Sequence, residues 1–288
     1  IYSDIKFWMV VIFLVGVALP VVVSILTFFL NSDYFSQLLG FDKIDIGFVS
    51  ATIGVLAGIY VDKHSNHLKS RKEAAAKIQE EFDTEVFGFE WDETSIGDRP
   101  DSGLIHNQSK KFNLKNPTYN GFLNWYTQKA ASFQYPESIA FCQQQNLCWD
   151  SLLRGKIIFY SRIIAILIIS LIVLLGIFND LTLRSFITNV LALGWPVYAF
   201  FDKKIIEHKE TIIEMDRLGS INNQLIEEII DGSTSADDIL KKCRKLQTAI
   251  YNHRKVARPI PNWLHKRNKD DQEDESDDRV QQYLDRMP

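Results

Sequence analysis

The amino-acid sequence predicts an all-α membrane protein: two transmembrane helical hairpins, four spans in all, with helical cytoplasmic extensions. Three observations lead there. The 288 residues are 46% apolar with a formal charge of −4, as in a soluble domain, yet the apolar residues are gathered into four segments. Lys and Arg flank those segments unequally on their two sides. Helix-forming sequence then continues past two of the segments without Gly or Pro.

A run of about 17–25 apolar residues is what ~30 Å of hydrocarbon requires. The first candidate, Phe7–Leu30, has 24 residues and no charge. The second, Ile46–Val61, is shorter and bounded by Asp45 and Asp62. The third, Ile157–Phe178, contains a single charge, Arg162. The fourth, Phe186–Phe201, includes Asn189 and Pro196. A secretory signal is a poor reading of the first segment, which is too long and lacks a small-residue cleavage site. The sequence opens at Ile1 rather than Met, so further N-terminal residues are expected.

Orientation follows from the basic residues near the ends. Lys6, Lys63, Lys69, Arg71, Lys72, Lys77, Arg154, Lys156, Lys203, Lys204 and Lys209 fall on one side; only Lys43 and Arg184 fall on the other. Both termini are therefore expected in the cytoplasm. The division is a first hairpin (1–61), a cytoplasmic insertion (62–155), a second hairpin (156–201) and a C-terminal segment (202–288). Arg162 lies about 9 Å along the third span from Lys156. Its stem can return the guanidinium to the headgroups.

"DKHSNHLKSRKEAAAKIQEEFD" is rich in helix formers, so the second span continues to about Asp83 and stops near Gly88. Asp101 is placed to cap a helix starting at Ser102 or Gly103. A turn at Asn116–Pro117 precedes an aromatic-rich helix over Phe122–Gln128, and a helix over Pro136–Trp149 leads into the third span. Ile205/Ile206, Ile212/Ile213, Leu218, Ile221, Leu225/Ile226 and Ile229/Ile230 recur at helical spacing beyond the fourth span. "DGSTSADD" ends that helix, and Ser235 caps the next, which runs to about Lys255. The acidic "NKDDQEDESDD" reads as solvated.

Little points to catalysis, and no cofactor or metal is expected. Neither GxGxxG nor GxxxxGKS occurs. His64 and His67 are three residues apart but lack the further ligands zinc needs. Glu90, Asp92 and Glu93 are better suited to capping and solvation than to Mg²⁺. Cys142, Cys148 and Cys243 fall in cytoplasmic segments and are expected as free thiols.

Six blocks then stand in order: "IYSDIK" (1–6), "AAKIQEEFDTEVFGFEWDE" (75–93), "GDRPD" (97–101), "NWYTQ" (124–128), "CQQQNLCWDSLLR" (142–154), and "LQTAIYNHRK" with "IPNWLHKR" (246–255, 260–267). Together, around four apolar segments, they resemble the SMODS-associated four-transmembrane effector family. That resemblance implies a pore-forming effector of anti-phage defence in the bacterial inner membrane. It also implies control by a cyclic oligonucleotide from a partner nucleotidyltransferase.

Such a ligand needs cations for its phosphates and flat faces for its bases. The candidate residues are Trp91, Arg99, Trp125, Tyr126, Arg254, Arg258, Trp263, Lys266 and Arg267. Ser170, Thr188 and Asn189 are polar groups inside the third and fourth spans, suited to lining a pore or to joining helices. The expected partners are the lipid bilayer, a cyclic oligonucleotide and further copies of the chain, with no nucleic acid polymer. The alternative is a non-conducting anchor or signalling protein whose cytoplasmic helices recruit a partner.

Overall fold

The computed structural model describes residues 2–31, 36–38, 40, 47–118, 125–177 and 192–287, and among them no strand occurs. The helices are α1 (Tyr2–Phe13), a π-helical turn (Leu14–Ala18), α2 (Leu19–Asn31), α3 (Gly47–Phe87), α4 (Glu93–Ile96) and α5 (Ser102–Lys115). A 3₁₀ turn (Gln128–Ser132), α6 (Glu137–Ile177), α7 (Ala192–Ile230), α8 (Ala236–Val256) and α9 (Asn262–Leu284) follow. The chain divides into two compact units. The apolar unit holds Ser3–Ser70 and Ile157–Glu207; the helical unit holds Arg71–Lys156 and His208–Pro288 with the first two residues.

In the apolar unit, Asp4–Val23 is the one stretch among the described residues that is long and apolar enough to cross a membrane. The other three expected spans run partly over residues outside the described set, which also excludes Thr188 and Asn189. The π turn has a local cause. A proline at position 20 has no N–H to donate to the carbonyl four residues back. The turn before it widens, and the Leu19 N–H bonds the Leu14 carbonyl. Val17 and Phe201 form a small core with Phe13, Ala165, Ile168 and Phe200. Much of the rest is apolar and uncovered, including Phe7, Val10, Leu14, Val22, Phe159, Ile166, Leu167 and Leu171. Arg162 and Ser170 are exposed as well.

The helical unit is built by signals its sequence carries. α3 stops where Gly88 adopts φ +68°, the left-handed conformation glycine takes without penalty. There the Phe89 N–H turns back to the Thr84 carbonyl at 2.9 Å. Asp101 caps α5 by accepting from the Leu104 N–H at 2.7 Å. Ser235 caps α8 through the Asp238 N–H. The periodic isoleucines bury one face of α7: Leu225, Ile226 and Ile229 join Phe87, Phe133, Phe141, Cys142 and Cys243 in the main core. Phe133 and Phe141 stack at 3.8 Å between centroids.

Two expectations are corrected. Trp125–Thr127 is not helical, and the turn that follows begins only at Gln128; residues 121–124 lie outside the described set. The side chain of Gln145 holds this strip extended, accepting from the Thr127 N–H at 2.8 Å and donating to the Trp125 carbonyl at 3.0 Å. The acidic segment is not merely solvated either: it lies in α9, one face of which is buried.

Leu264, Asn268, Gln272, Ser276 and Val280 are the buried positions of α9, each four residues apart. Between Asp270 and Asp278 seven of nine residues are carboxylates, and the other two, Gln272 and Ser276, are the ones that point inward. Trp149 Nε1 donates to the Gln272 carbonyl at 3.0 Å and to Ser276 Oγ at 2.7 Å. Gln272 Nε2 answers to the Trp149 carbonyl at 3.2 Å. A face docked through amides and a hydroxyl leaves no hydrophobic period for a sequence reading to find.

Phe141→Ala removes a ring from the main core and is expected to cost about 3–5 kcal/mol. Urea unfolding in detergent, followed by far-UV circular dichroism, measures it.

Candidate functional site

Charge is buried at the centre of the helical unit. Glu80 and Asp83, one turn apart on α3, are 0% and 2% exposed. Asp83 accepts from Tyr126 Oη at 2.6 Å, Gln247 Nε2 at 3.0 Å and Arg254 NH1 at 2.5 Å. Glu80 accepts from Arg244 NH1 at 3.0 Å and Gln247 Nε2 at 2.8 Å. Gln143 on α6 donates to Gln247 and to the Cys243 carbonyl. This network ties α3, α6 and α8 together with the Tyr126 strip. Burial pushes the Glu80 carboxyl above its ordinary range, partly offset by Gln247 and the two arginines.

A second cluster joins α6, α7 and α8. Arg154, 3% exposed, grips Asp150 through Nε at 2.6 Å and NH2 at 3.1 Å. Its NH1 reaches His208 Nδ1 at 3.1 Å and the Arg258 carbonyl at 3.0 Å. The guanidinium can only donate, so His208 Nδ1 is the acceptor. His253 Nε2 stands 3.4 Å from Asp150. Burial alone would raise the Asp150 carboxyl, but the His253 hydrogen bond and Arg154 outweigh it, leaving the group well below its ordinary 3.8.

Two aromatic rings on the loop after α3, Trp91 and Phe89, are each covered by an arginine, one from the loop and one from α8. Arg99 sits 5.3 Å from the Trp91 ring centre, and Arg244 sits 5.4 Å from that of Phe89. Trp91 is oriented by its Nε1 bond to the Gly97 carbonyl at 2.8 Å. Gly97 makes the turn possible at φ +77°. Arg99 is 54% exposed and 3.6 Å from Glu81. Arg244 is mostly buried, and its Nε and NH2 meet no protein acceptor among the described residues. Asp92 caps α4 through the Ser95 N–H, as the capping reading expected.

The nine candidate residues thus fall into separate groups. Trp91 and Arg99 are paired on the loop. Tyr126 and Arg254 meet at Asp83, inside the unit. Trp125 is partly exposed, 6.5 Å from Trp149 and edge-on to it. Arg258 lies in the link between α8 and α9, and Trp263, Lys266 and Arg267 are exposed in the first turns of α9. The cleft lined by Thr127, Trp149 and Arg279 measures about 10 Å³, room for roughly one water. Arg244 was missed: nothing local distinguishes it from the lysines around it, and only the approach of Phe89 and Glu80 does. The three cysteines are free, and burial pushes the Cys142 and Cys243 thiols up to about 12.

Residues 1–283 match the SMODS-associating 4TM effector domain, and the chain belongs to that family. Membership implies a membrane location. A protein of Bacillus cereus (strain VD146) described as a "Probable CBASS effector molecule" is 25% identical over 203 residues, covering 69% of this chain. The aligned part spans 66% of that relative. No solved structure matches the chain.

Asp83→Asn is expected to cost roughly 3 kcal/mol, because the mostly buried Arg254 loses its counter-charge; the thermal midpoint reports it. For Asp150 the folded carboxyl is depressed, so its stabilisation is present above 3.8 and is lost as pH falls below that value. Asp150→Asn should lower the midpoint at neutral pH and flatten the acid limb of a midpoint-against-pH curve. An unchanged acid limb would refute the assignment.

Proposed function

We propose that this chain is a membrane effector of CBASS-type anti-phage defence, in which a cyclic oligonucleotide bound to the helical unit controls a pore formed by the apolar unit. The observation that carries the ligand half is the pair of arginine-on-aromatic contacts at one loop, where Arg99 of the loop covers Trp91 and Arg244 of α8 covers Phe89. Each offers a guanidinium for a phosphate oxygen beside a ring on which a base can stack. Family membership and the relative's description support the defence context.

The pore half rests on the apolar unit. A helix apolar on all sides suits lipid rather than water, and the exposed faces of α1, α2 and the latter part of α6 have that character. Ile157–Ile177, at 1.5 Å per residue, is about 31 Å of helix. With the three other apolar segments it makes four spans, both termini cytoplasmic, and copies of the chain assemble around a lumen. Ser170, Thr188 and Asn189 are the polar groups available to line it. α3, α6 and α7 are each unbroken helices with residues in both units. A ligand preferring one arrangement of their helical-unit ends shifts the population of the whole helix.

Liposomes holding the purified chain should leak on addition of one member of a panel of cyclic di- and trinucleotides. Trp91→Ala and Arg99→Ala should each raise the concentration required about 5- to 150-fold, the equivalent of about 1–3 kcal/mol of stacking or charge-assisted contact. Leakage suppressed by a nucleotide would reverse the sign of control. Indifference to every nucleotide, in inserted protein, would leave the non-conducting anchor as the better reading.

A further inference from the structure

α9 runs antiparallel to α6 within the helical unit, and three contacts fix the register. Gln144 Nε2 donates to Tyr283 Oη at 3.2 Å, Trp149 meets Gln272 and Ser276, and the Lys156 ammonium donates to Asn268 Oδ1. Moving toward the C-terminus of α6 therefore means moving toward the N-terminus of α9. Lys156 is the last residue before the apolar stretch that begins at Ile157. Trp263, five residues before Asn268, lies about 7.5 Å further in that direction.

The charge of α9 is sorted along the same line. His265, Lys266, Arg267 and Lys269 occupy its first turns, and the seven carboxylates of Asp270–Asp278 come after. The macrodipole favours the opposite order, with acidic groups first and basic groups last. The order therefore runs against the helix's own electrostatics. Trp263, Lys266 and Arg267 are spaced i, i+3 and i+4, hence on one face, and all three are exposed; Trp263 is 53% exposed. An amphipathic indole beside two cations at the level where an apolar helix begins is the composition of a membrane–water interface. The acidic half, which an anionic surface would repel, points away from that level.

We propose that the first turns of α9, through Trp263, Lys266 and Arg267, form an interfacial anchor that docks the helical unit on anionic lipid headgroups. The anchor rests on reading Ile157–Ile177 as a membrane span and is independent of the pore. It assigns these three residues to the bilayer surface and leaves nucleotide recognition to the Trp91–Arg99 loop.

The test uses the full chain in nanodiscs of phosphatidylcholine alone or mixed with phosphatidylglycerol, each with and without lipids brominated near the headgroup. The emission of Trp263 is isolated as wild type minus Trp263→Phe. Bromolipid is expected to quench that difference signal, and more so with phosphatidylglycerol present. Lys266→Glu with Arg267→Glu, checked for unchanged far-UV circular dichroism, should abolish the phosphatidylglycerol dependence. Each cation near an anionic surface contributes about 1 kcal/mol, or roughly fivefold in the docked-to-undocked ratio. An unquenched difference signal in inserted protein would overturn the anchor alone. So would a signal that responds to soluble cyclic nucleotide and not to lipid. Extraction of the chain from the membrane by carbonate would overturn the span, and the anchor with it.

Discussion

The helical unit depends on one carboxylate. Asp83 is buried, and a buried charge is tolerated only when its partners are supplied from all sides. They come from a tyrosine on an extended strip, a glutamine and an arginine two turns apart on α8, all converging on one side chain of α3. Tyr126 in turn receives a hydrogen bond from Asn146 at 3.0 Å, so α6 is drawn into the same arrangement. Apolar packing alone would let these helices slide on one another. The directional bonds to Asp83 and Glu80 admit one register.

That constraint gives the helical unit the properties that the proposed sensing role needs. Its helices cannot shift one at a time without leaving a buried donor or acceptor unpaired, at about 1–3 kcal/mol each. Rearrangement is thereby made discrete rather than gradual. Arg154 applies the same logic midway along α6 and near the end of α8, binding Asp150, His208 and the Arg258 carbonyl at once. The Phe89–Arg99 loop starts less than two turns beyond Asp83 on α3. Arg244 belongs to both places: one nitrogen is committed to Glu80, and its plane covers Phe89. A phosphate competing for Arg244 would act directly on the buried network.

α9 shows how a polar interface can be as well formed as an apolar one. Its docking uses Asn268, Gln272 and Ser276 where a bundle helix would use leucines. Like charges four residues apart, such as Asp270 with Asp274 and Asp274 with Asp278, weaken the helix in isolation. Its order therefore comes from the unit it docks on, and from Trp149 in particular.

The sequence by itself determined the helical class, the cap at Asp101, the stop at Gly88, the cap at Ser235 and the family, because these rest on local chemistry and on ordered blocks of residues. Apolar segments and flanking charge are likewise local, and so was the pairing of Trp91 with Arg99 on one loop. Tertiary structure alone decided that Tyr126 and Arg254 face a shared buried carboxylate, that Arg244 lies over Phe89, and that the acidic tail is a docked helix. The reason is physical: a buried charge takes its partners from residues 43 and 171 positions away. A helix docked through amides and a hydroxyl carries no apolar period to announce it.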